Sequence, residues 1–187
     1  MEFSSRFEEA LAYAHDLHRS QTRKGKPAPY IGHLLGVTAI VIAEGGDEDQ
    51  AIAALLHDAI EDQGDKTSID ALRERFGPGV ADIVAACTDA WTAPKPPWRA
   101  RKEAYVAALP DKPDAARLVA LADKVHNLEE ILDDHSRVGA QIWSRFNAEP
   151  ANILWYYRSL ASVFAEILPG PLADRLAVGV GRLQAIV

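Results

Sequence analysis

The segment Ala51–Asp62 has the sequence AIAALLHDAIED, which joins an apolar helical pattern to a polar end. The apolar residues recur at helical spacing and predict a buried helix over roughly 48–61. The polar end carries four ionisable side chains, those of His57, Asp58, Glu61 and Asp62. Acid-bearing faces that lie side by side at the end of a buried helix repel each other unless a cation or a proton lies among them.

An adjacent histidine and aspartate point to a divalent metal ion. Imidazole nitrogens and carboxylate oxygens together suit Mn²⁺, Fe²⁺ or Zn²⁺. His57 and Asp58 can both reach one ion, but two side chains do not complete its coordination shell. The candidates for further ligands on other predicted helices are His33 and Asp123.

Helical patterns continue on both sides of this segment. Proline is excluded from helix interiors, and no proline lies between Pro29 and Pro78 or between Pro113 and Pro150. No segment shows a sustained alternation of apolar and polar residues. The sequence therefore predicts an all-α fold, a single compact bundle of about eight or nine helices. The predicted helices cover roughly 6–20, 30–44, 48–61, 68–76, 78–84, 98–108, 114–134, 150–168 and 172–185, with a proline-rich loop at 93–97.

Composition narrows the class of protein. A chain of 187 residues, 48% hydrophobic and 25% charged, is typical of one globular domain, here residues 1–187. The net charge of −7 argues against binding a nucleic acid polymer, which needs a basic surface. The single cysteine, Cys87, excludes an internal disulfide and a cysteine-based zinc cluster. An acidic start and the lack of a long apolar stretch predict a cytoplasmic protein without a membrane anchor.

Several motifs occur in a fixed order along the chain. They are Ala14-His15 with Gln21, Arg23-Lys24-Gly25, Pro29-Tyr30-Ile31-Gly32-His33, His57-Asp58-Ala59-Ile60-Glu61-Asp62, Leu121-Ala122-Asp123-Lys124-Val125-His126-Asn127-Leu128 and Tyr156-Tyr157. This set resembles the signature of the HD superfamily of metal-dependent phosphohydrolases. It is most similar to the hydrolase domain of RelA/SpoT homologues, the small alarmone hydrolases that consist of the hydrolase alone.

The resemblance implies an HD-domain helical bundle that holds one Mn²⁺ ion per chain. The implied ligands are His33, His57, Asp58 and Asp123. The implied reaction is hydrolysis of the 3′-pyrophosphate of a nucleotide alarmone, (p)ppGpp or its adenine counterpart ppApp. It releases pyrophosphate and the nucleoside 5′-phosphate. The acidic pair one turn beyond the ligands resembles the family's catalytic pair, so Glu61 and Asp62 are expected to orient the attacking water and handle its proton.

The same resemblance supplies the expected substrate contacts. They are Arg23, Lys24, Lys102, Asn127 and Tyr156. A guanidinium can stack on a base and a lysine can neutralise phosphate, which suits the Arg23-Lys24 pair. The family pattern has a basic residue one turn before the late tyrosine, where this chain has Asn152. The sequence does not identify a replacement for that charge.

Two other functions remain open at this point. One is a different HD phosphohydrolase, acting as a nucleotide phosphatase or on the 2′-phosphate of NADPH. The other is a non-catalytic nucleotide-binding module, which the presence of both Glu61 and Asp62 argues against. The choice between guanine and adenine, the native metal and homo-oligomerisation also stay open.

Overall fold

The structure is a computed structural model, which describes residues 2–89 and 96–187. Within these residues the chain forms ten α-helices and two short 3-10 helices and no β-strand, so the all-α prediction is confirmed. The α-helices are α1 (Ser5–Leu17), α2 (Ile31–Ala43), α3 (Glu48–Leu56), α4 (Ala59–Gln63), α5 (Ile69–Phe76), α6 (Pro78–Cys87), α7 (Trp98–Ala108), α8 (Asp114–Val138), α9 (Pro150–Ile167) and α10 (Pro171–Gln184). The 3-10 helices cover Leu109–Asp111 and Gly139–Arg145. Most of the predicted loop, residues 93–95, lies outside the described residues.

Helix starts follow the local chemistry of the sequence. Asp47 begins α3 with a capping box: its carboxylate accepts from the backbone N–H of Gln50 at 2.9 Å, and the Gln50 side chain accepts from the Asp47 N–H at 2.9 Å. Ser68 caps α5 by accepting from the backbone N–H of Ala71. Pro78 opens α6, a position where a helix does not need the missing N–H.

The predicted helix over 48–61 is wrong in one respect, because it is two helices. The first, α3, ends at Leu56 and α4 begins at Ala59, so His57 and Asp58 form a turn between them. Asp58 has φ −96° and ψ 0°, at the edge of the right-handed α region. The break adds one α-helix to the number expected over the described residues.

The chain divides into two compact units. Unit 1 comprises Met1–Trp91 and Pro113–Ala122, and unit 2 comprises Thr92–Lys112 and Asp123–Val187. The long helix α8 contributes its first residues to unit 1 and the remainder to unit 2.

The core of unit 1 is built around α3. The helices α1, α2 and α6 pack against it, and every residue from Ala51 to Leu56 is fully buried. Burying these apolar side chains contributes roughly 25 cal/mol for each Å² removed from water. This packing fixes the end of α3, where the polar turn begins.

Unit 2 has its own apolar core. The helix α9 packs against α10 and α7. Phe164 and Leu160 of α9 and Leu176 and Leu183 of α10 are completely buried, and Leu128 of α8 joins them. The faces of these helices are apolar at every third or fourth residue, which is the spacing that buries one stripe of a helix.

The prediction that residues 1–187 form one domain stays a prediction.

No helix among residues 2–89 and 96–187 combines the length and the apolar character that crossing a membrane requires.

Candidate metal centre and catalytic site

Three of the four predicted metal ligands lie together in unit 1. His33 is in the first turn of α2, and His57 and Asp58 form the turn between α3 and α4. The Nε2 atom of His57 is 3.1 Å from Asp58 Oδ2, and Nε2 of His33 is 3.5 Å from the same oxygen. Both imidazoles are almost completely buried. One ligand atom from each of the three residues lies within 4.8 Å of the other two.

The backbone sets the tautomer of His57. Its Nδ1 atom is 2.8 Å from the carbonyl oxygen of Ala54. A carbonyl only accepts, so Nδ1 carries a proton, and Nε2 is the ring nitrogen that faces Asp58. Imidazole nitrogens with a carboxylate are a donor set for a divalent metal. The three side chains therefore fit a divalent metal ion.

Tyr30 supports the aspartate of this cluster. Its hydroxyl donates to Asp58 Oδ2 at 2.6 Å. Burial raises the pKa of Tyr30 far above its ordinary value, and the charge of Asp58 raises the pKa further. The phenol therefore stays protonated and keeps donating, as outer-sphere partners of metal ligands do. The sequence placed Tyr30 inside a motif but assigned it no contact.

The predicted substrate residues Arg23 and Lys24 lie on a loop that folds back on itself. The backbone N–H of Arg23 donates to the carbonyl of Ala28 at 2.8 Å, and Gly25 turns the chain with a φ of 73°. The Arg23 guanidinium lies 5.2 Å from the centre of the Tyr30 ring. Lys24 is exposed. The loop thus places the Arg23 guanidinium beside the tyrosine that donates to Asp58.

The predicted catalytic pair lies in the first turn of α4. Glu61 is half-buried and Asp62 is exposed. The side-chain amide of Gln21 donates to Asp62 Oδ2 at 2.8 Å. The acidic pair follows directly on the turn that carries two of the predicted metal ligands, so the local fold places it one helical turn beyond them.

The fourth predicted ligand, Asp123, lies in unit 2 on α8. It is buried, and both of its oxygens have partners: Lys124 Nζ is 2.5 Å from Oδ2, and the Asn127 amide donates to Oδ1 at 2.5 Å. Burial alone would lower the pKa of Lys124, but the Asp123 carboxylate holds it well above its ordinary value. The predicted substrate residue Asn127 is therefore a partner of Asp123.

Two further predicted substrate residues meet in unit 2. Lys102 Nζ of α7 lies 5.0 Å from the centre of the Tyr156 ring of α9. A second tyrosine, Tyr105, lies between three ammonium groups: Lys112 and Lys124 are each 4.9 Å from its ring centre, and Lys102 is 5.9 Å from it. The sequence assigned no role to Lys112, which follows a 3-10 helix and belongs to no motif.

The structure also supplies a cation beside Asn152. The guanidinium of Arg99 donates to Asn152 Oδ1 at 3.2 Å and lies 3.3 Å from the centre of the Trp155 ring. Glu103 accepts from the same guanidinium at 2.7 Å. A charge from α7 therefore stands next to the position on α9 where a basic residue is expected.

One histidine to which the sequence assigned no role is linked through Gln21 to the predicted catalytic residue Asp62. His18 is buried, and its Nδ1 is 2.7 Å from Gln21 Oε1, whereas the motif histidine His15 is exposed. His18 stands three residues before Gln21, a spacing at which two side chains can meet, whereas His15 stands six residues before it. Counting the spacing, instead of following the Ala-His dipeptide, would have identified it.

Comparisons with known proteins identify the family of the chain. The family model of the HD domain matches residues 10–153. The human protein "Guanosine-3′,5′-bis(diphosphate) 3′-pyrophosphohydrolase MESH1" is 37% identical over 144 residues, which cover 75% of each chain. The protein of the same name from Xenopus tropicalis is 40% identical over 126 residues, or 66% of this chain and 68% of its own. A solved structure of a metazoan orthologue of SpoT that hydrolyses ppGpp superimposes with a TM-score of 0.81 at 25% identity, covering 100% of this chain and 99% of that one.

Proposed function

The chain belongs to the HD-domain family, among relatives that are ppGpp 3′-pyrophosphohydrolases, and on that premise we propose that it removes the 3′-pyrophosphate of nucleotide alarmones with water. The observation that carries the proposal is the convergence of His33, His57 and Asp58, followed by two carboxylates within one turn. A binding module does not need that acidic pair, whereas hydrolysis needs groups that orient water and take its proton.

We propose one Mn²⁺ ion per chain as the native cofactor. His33, His57 and Asp58 would hold it, and Asp123 is our proposed fourth ligand on the strength of its motif. A divalent ion supplies Lewis-acid polarisation of a phosphoryl oxygen and a lower pKa of water. Other divalent ions with similar preferences for nitrogen and oxygen can occupy such a set.

The protein's own groups perform the remaining tasks. Glu61 and Asp62 would orient the attacking water and accept its proton. Arg23 and Lys24 would contact the nucleotide from their loop, and Lys102 would neutralise phosphate. Asn127 and Tyr156 are proposed to contact sugar or phosphate.

We add Lys112 and Arg99 of unit 2 to the proposed phosphate contacts because of the residues that they lie beside. Lys112 and Lys102 both lie near the Tyr105 ring, and Arg99 lies over the Trp155 ring beside Asn152. We propose that Arg99 carries the charge that a basic residue at position 152 would otherwise supply. The substrate is a small polyphosphate, which needs such a local group of cations and no basic surface overall.

A substrate panel tests the proposal. The Mn²⁺-loaded protein is incubated with ppGpp, ppApp and NADPH, and the products are separated and identified. Pyrophosphate released from ppGpp or ppApp is the expected result, and the ratio of the two rates decides between guanine and adenine. Orthophosphate from NADPH alone would instead favour a 2′-phosphatase, and no product from any of the three would favour a binding module.

We propose a cytoplasmic location, since a single cysteine suits a reducing compartment.

A further inference from the structure

A chain of hydrogen bonds in unit 1 ends on the proposed catalytic carboxylate. Gln21 is its centre: its amide nitrogen donates to Asp62 Oδ2 at 2.8 Å. Its amide oxygen is 2.7 Å from His18 Nδ1 and accepts from Gln63 Nε2 at 2.6 Å. Behind Gln63, the ammonium of Lys66 donates to Gln63 Oε1 at 2.6 Å.

The chemistry at the two ends of this chain determines its direction. A lysine ammonium can only donate, and an ionised carboxylate can only accept. Lys66 therefore turns the oxygen of the Gln63 amide towards itself and the nitrogen towards Gln21. Asp62 turns the Gln21 nitrogen towards itself, which leaves the Gln21 oxygen facing Gln63 and His18. The orientation that Lys66 imposes on Gln63 is therefore compatible with the orientation that Asp62 imposes on Gln21.

His18 completes the arrangement. Because the Gln21 oxygen only accepts, His18 carries its proton on Nδ1. Its ring is 2% exposed and stacks on Tyr30 with a centroid distance of 5.2 Å. Its Nε2 is buried and has no hydrogen-bond partner among residues 2–89 and 96–187. Burial without a partner costs about 1–3 kcal/mol, so a phenylalanine at this position would pack at lower cost. What histidine provides here, and phenylalanine would not, is the Nδ1–H that donates to Gln21.

We propose that Gln21 is a positioning residue for Asp62, with its amide held by His18, Gln63 and Lys66. Asp62 is exposed, so its carboxylate would otherwise rotate between several orientations. A hydrogen bond to Oδ2 restricts that rotation and presents Oδ1 in a constant direction. A general base acts only when it lies within hydrogen-bond reach of the proton it takes, so fixing its orientation raises the turnover rate. This inference rests on the proposed function for the role of Asp62.

The kinetic test compares Gln21→Leu with the wild type, using Mn²⁺-loaded protein and ppGpp. Loss of an outer-sphere partner of a metal ligand typically costs about 10–100-fold in activity, and we expect a similar loss for a partner of the proposed base. We expect kcat to fall within that range, while KM and the Mn²⁺ affinity stay within about twofold, because Gln21 contacts none of the three clustered metal ligands in the bonds described. The matched control is Gln184→Leu, the same change at the exposed end of α10. Wild-type kcat in Gln21→Leu would overturn the inference.

Two substitutions of His18 separate positioning from packing. In His18→Asn the amide nitrogen can take the place of Nδ1–H, and we expect it to keep more of kcat than His18→Phe. In His18→Phe the ring still stacks on Tyr30 but donates nothing, so we expect kcat to fall as in Gln21→Leu while the protein stays folded. The reverse order, with phenylalanine active and asparagine inactive, would show that His18 only packs.

A measurement independent of turnover tests the network itself. The ¹⁵N chemical shifts of His18 distinguish its two neutral tautomers. We expect the Nδ1–H tautomer in the wild type and a mixture of both tautomers in Gln21→Leu. The Nε2–H form in the wild type would overturn the inference.

If the wild type releases no pyrophosphate, the proposed function fails and with it the role of Asp62. If the wild type turns over and Gln21→Leu is unimpaired, the positioning role alone fails.

Discussion

At the scale of single residues, the centre depends on side chains whose hydrogen-bond partners dictate their protonation. The carbonyl of Ala54 accepts from Nδ1 of His57, and the hydroxyl of Tyr30 donates to Oδ2 of Asp58. The motif identified His57 and Asp58 from the sequence alone. The sequence did not identify their partners, the Ala54 carbonyl and the Tyr30 hydroxyl, because such contacts form only when the helices pack.

Removing the Tyr30 hydroxyl tests that support. In Tyr30→Phe the Asp58 carboxylate loses a donor at 2.6 Å, and we expect the Mn²⁺ affinity to fall by about 10–100-fold, measured by titration calorimetry. The matched control is Tyr13→Phe, which removes a hydroxyl that donates to Thr67 at 2.9 Å. We expect unchanged Mn²⁺ affinity in the control. Equal losses in both variants would assign the effect to general destabilisation.

His18 also predicts a pH effect on stability. Burial lowers the pKa of His18 below its ordinary value of 6.5. The unfolded chain then binds more protons than the folded one, so His18 contributes a loss of stability as the pH falls below about 6.5. We expect the metal-free wild type to lose more unfolding free energy between pH 7 and pH 5 than His18→Phe, as measured by urea denaturation. Parallel pH profiles for the two proteins would contradict this expectation.

At the scale of elements, helix contacts leave little room at particular positions. A Cβ atom on Gly179 of α10 would meet Leu128 Cδ2 of α8 at 2.7 Å, and Leu128 is buried. A Cβ atom on Gly181, two residues along the same helix, would meet nothing within 4 Å. The close approach of α10 to α8 thus depends on one glycine and not on the other.

The two glycines give opposite predictions. Gly179→Ala overpacks the contact, which costs about 1–3 kcal/mol and outweighs the roughly 1 kcal/mol that alanine gains in a helix. Gly181→Ala keeps only that gain. We expect the unfolding free energy to fall in the first variant and to rise in the second, as measured by chemical denaturation. Stabilisation by both substitutions would show that Leu128 moves aside at little cost.

Helix ends show how far local sequence signals extend. The helices α3 and α6 begin at the predicted residues, because the capping box at Asp47 and the proline at Pro78 act within one turn. The break at His57 and Asp58 was missed, since apolar periodicity continues through it. The end of α1 was predicted three residues late, at about 20, which concealed that His18 lies beyond the helix and faces Gln21.

At the scale of the whole molecule, the acidity of the chain has a local explanation. The net charge of −7 includes Asp58, Glu61, Asp62 and Asp123, which are proposed metal ligands or catalytic groups. A bound divalent ion adds positive charge that the sequence count omits. This is why composition argued against a polymer partner but could not identify a small polyphosphate, whose proposed cationic contacts come from separate elements.

Metal binding should also stabilise the fold. The ligands come together only in the folded chain, so an ion at about 100 times its Kd raises the unfolding free energy by about 2.7 kcal/mol. We expect Mn²⁺ to raise the Tm of the wild type and chelator to reverse the increase, measured by calorimetry. Asp58→Ala should show neither effect. An equal rise in Asp58→Ala would place the ion elsewhere.

The rate of pyrophosphate release from ppGpp at saturating Mn²⁺ tests the central claim most directly, with the wild type and Asp58→Ala measured side by side. The account predicts steady release by the wild type and none by Asp58→Ala, which loses bound Mn²⁺ together with activity. A Mn²⁺-loaded wild type that releases no pyrophosphate, or an Asp58→Ala variant that matches its rate, would contradict it.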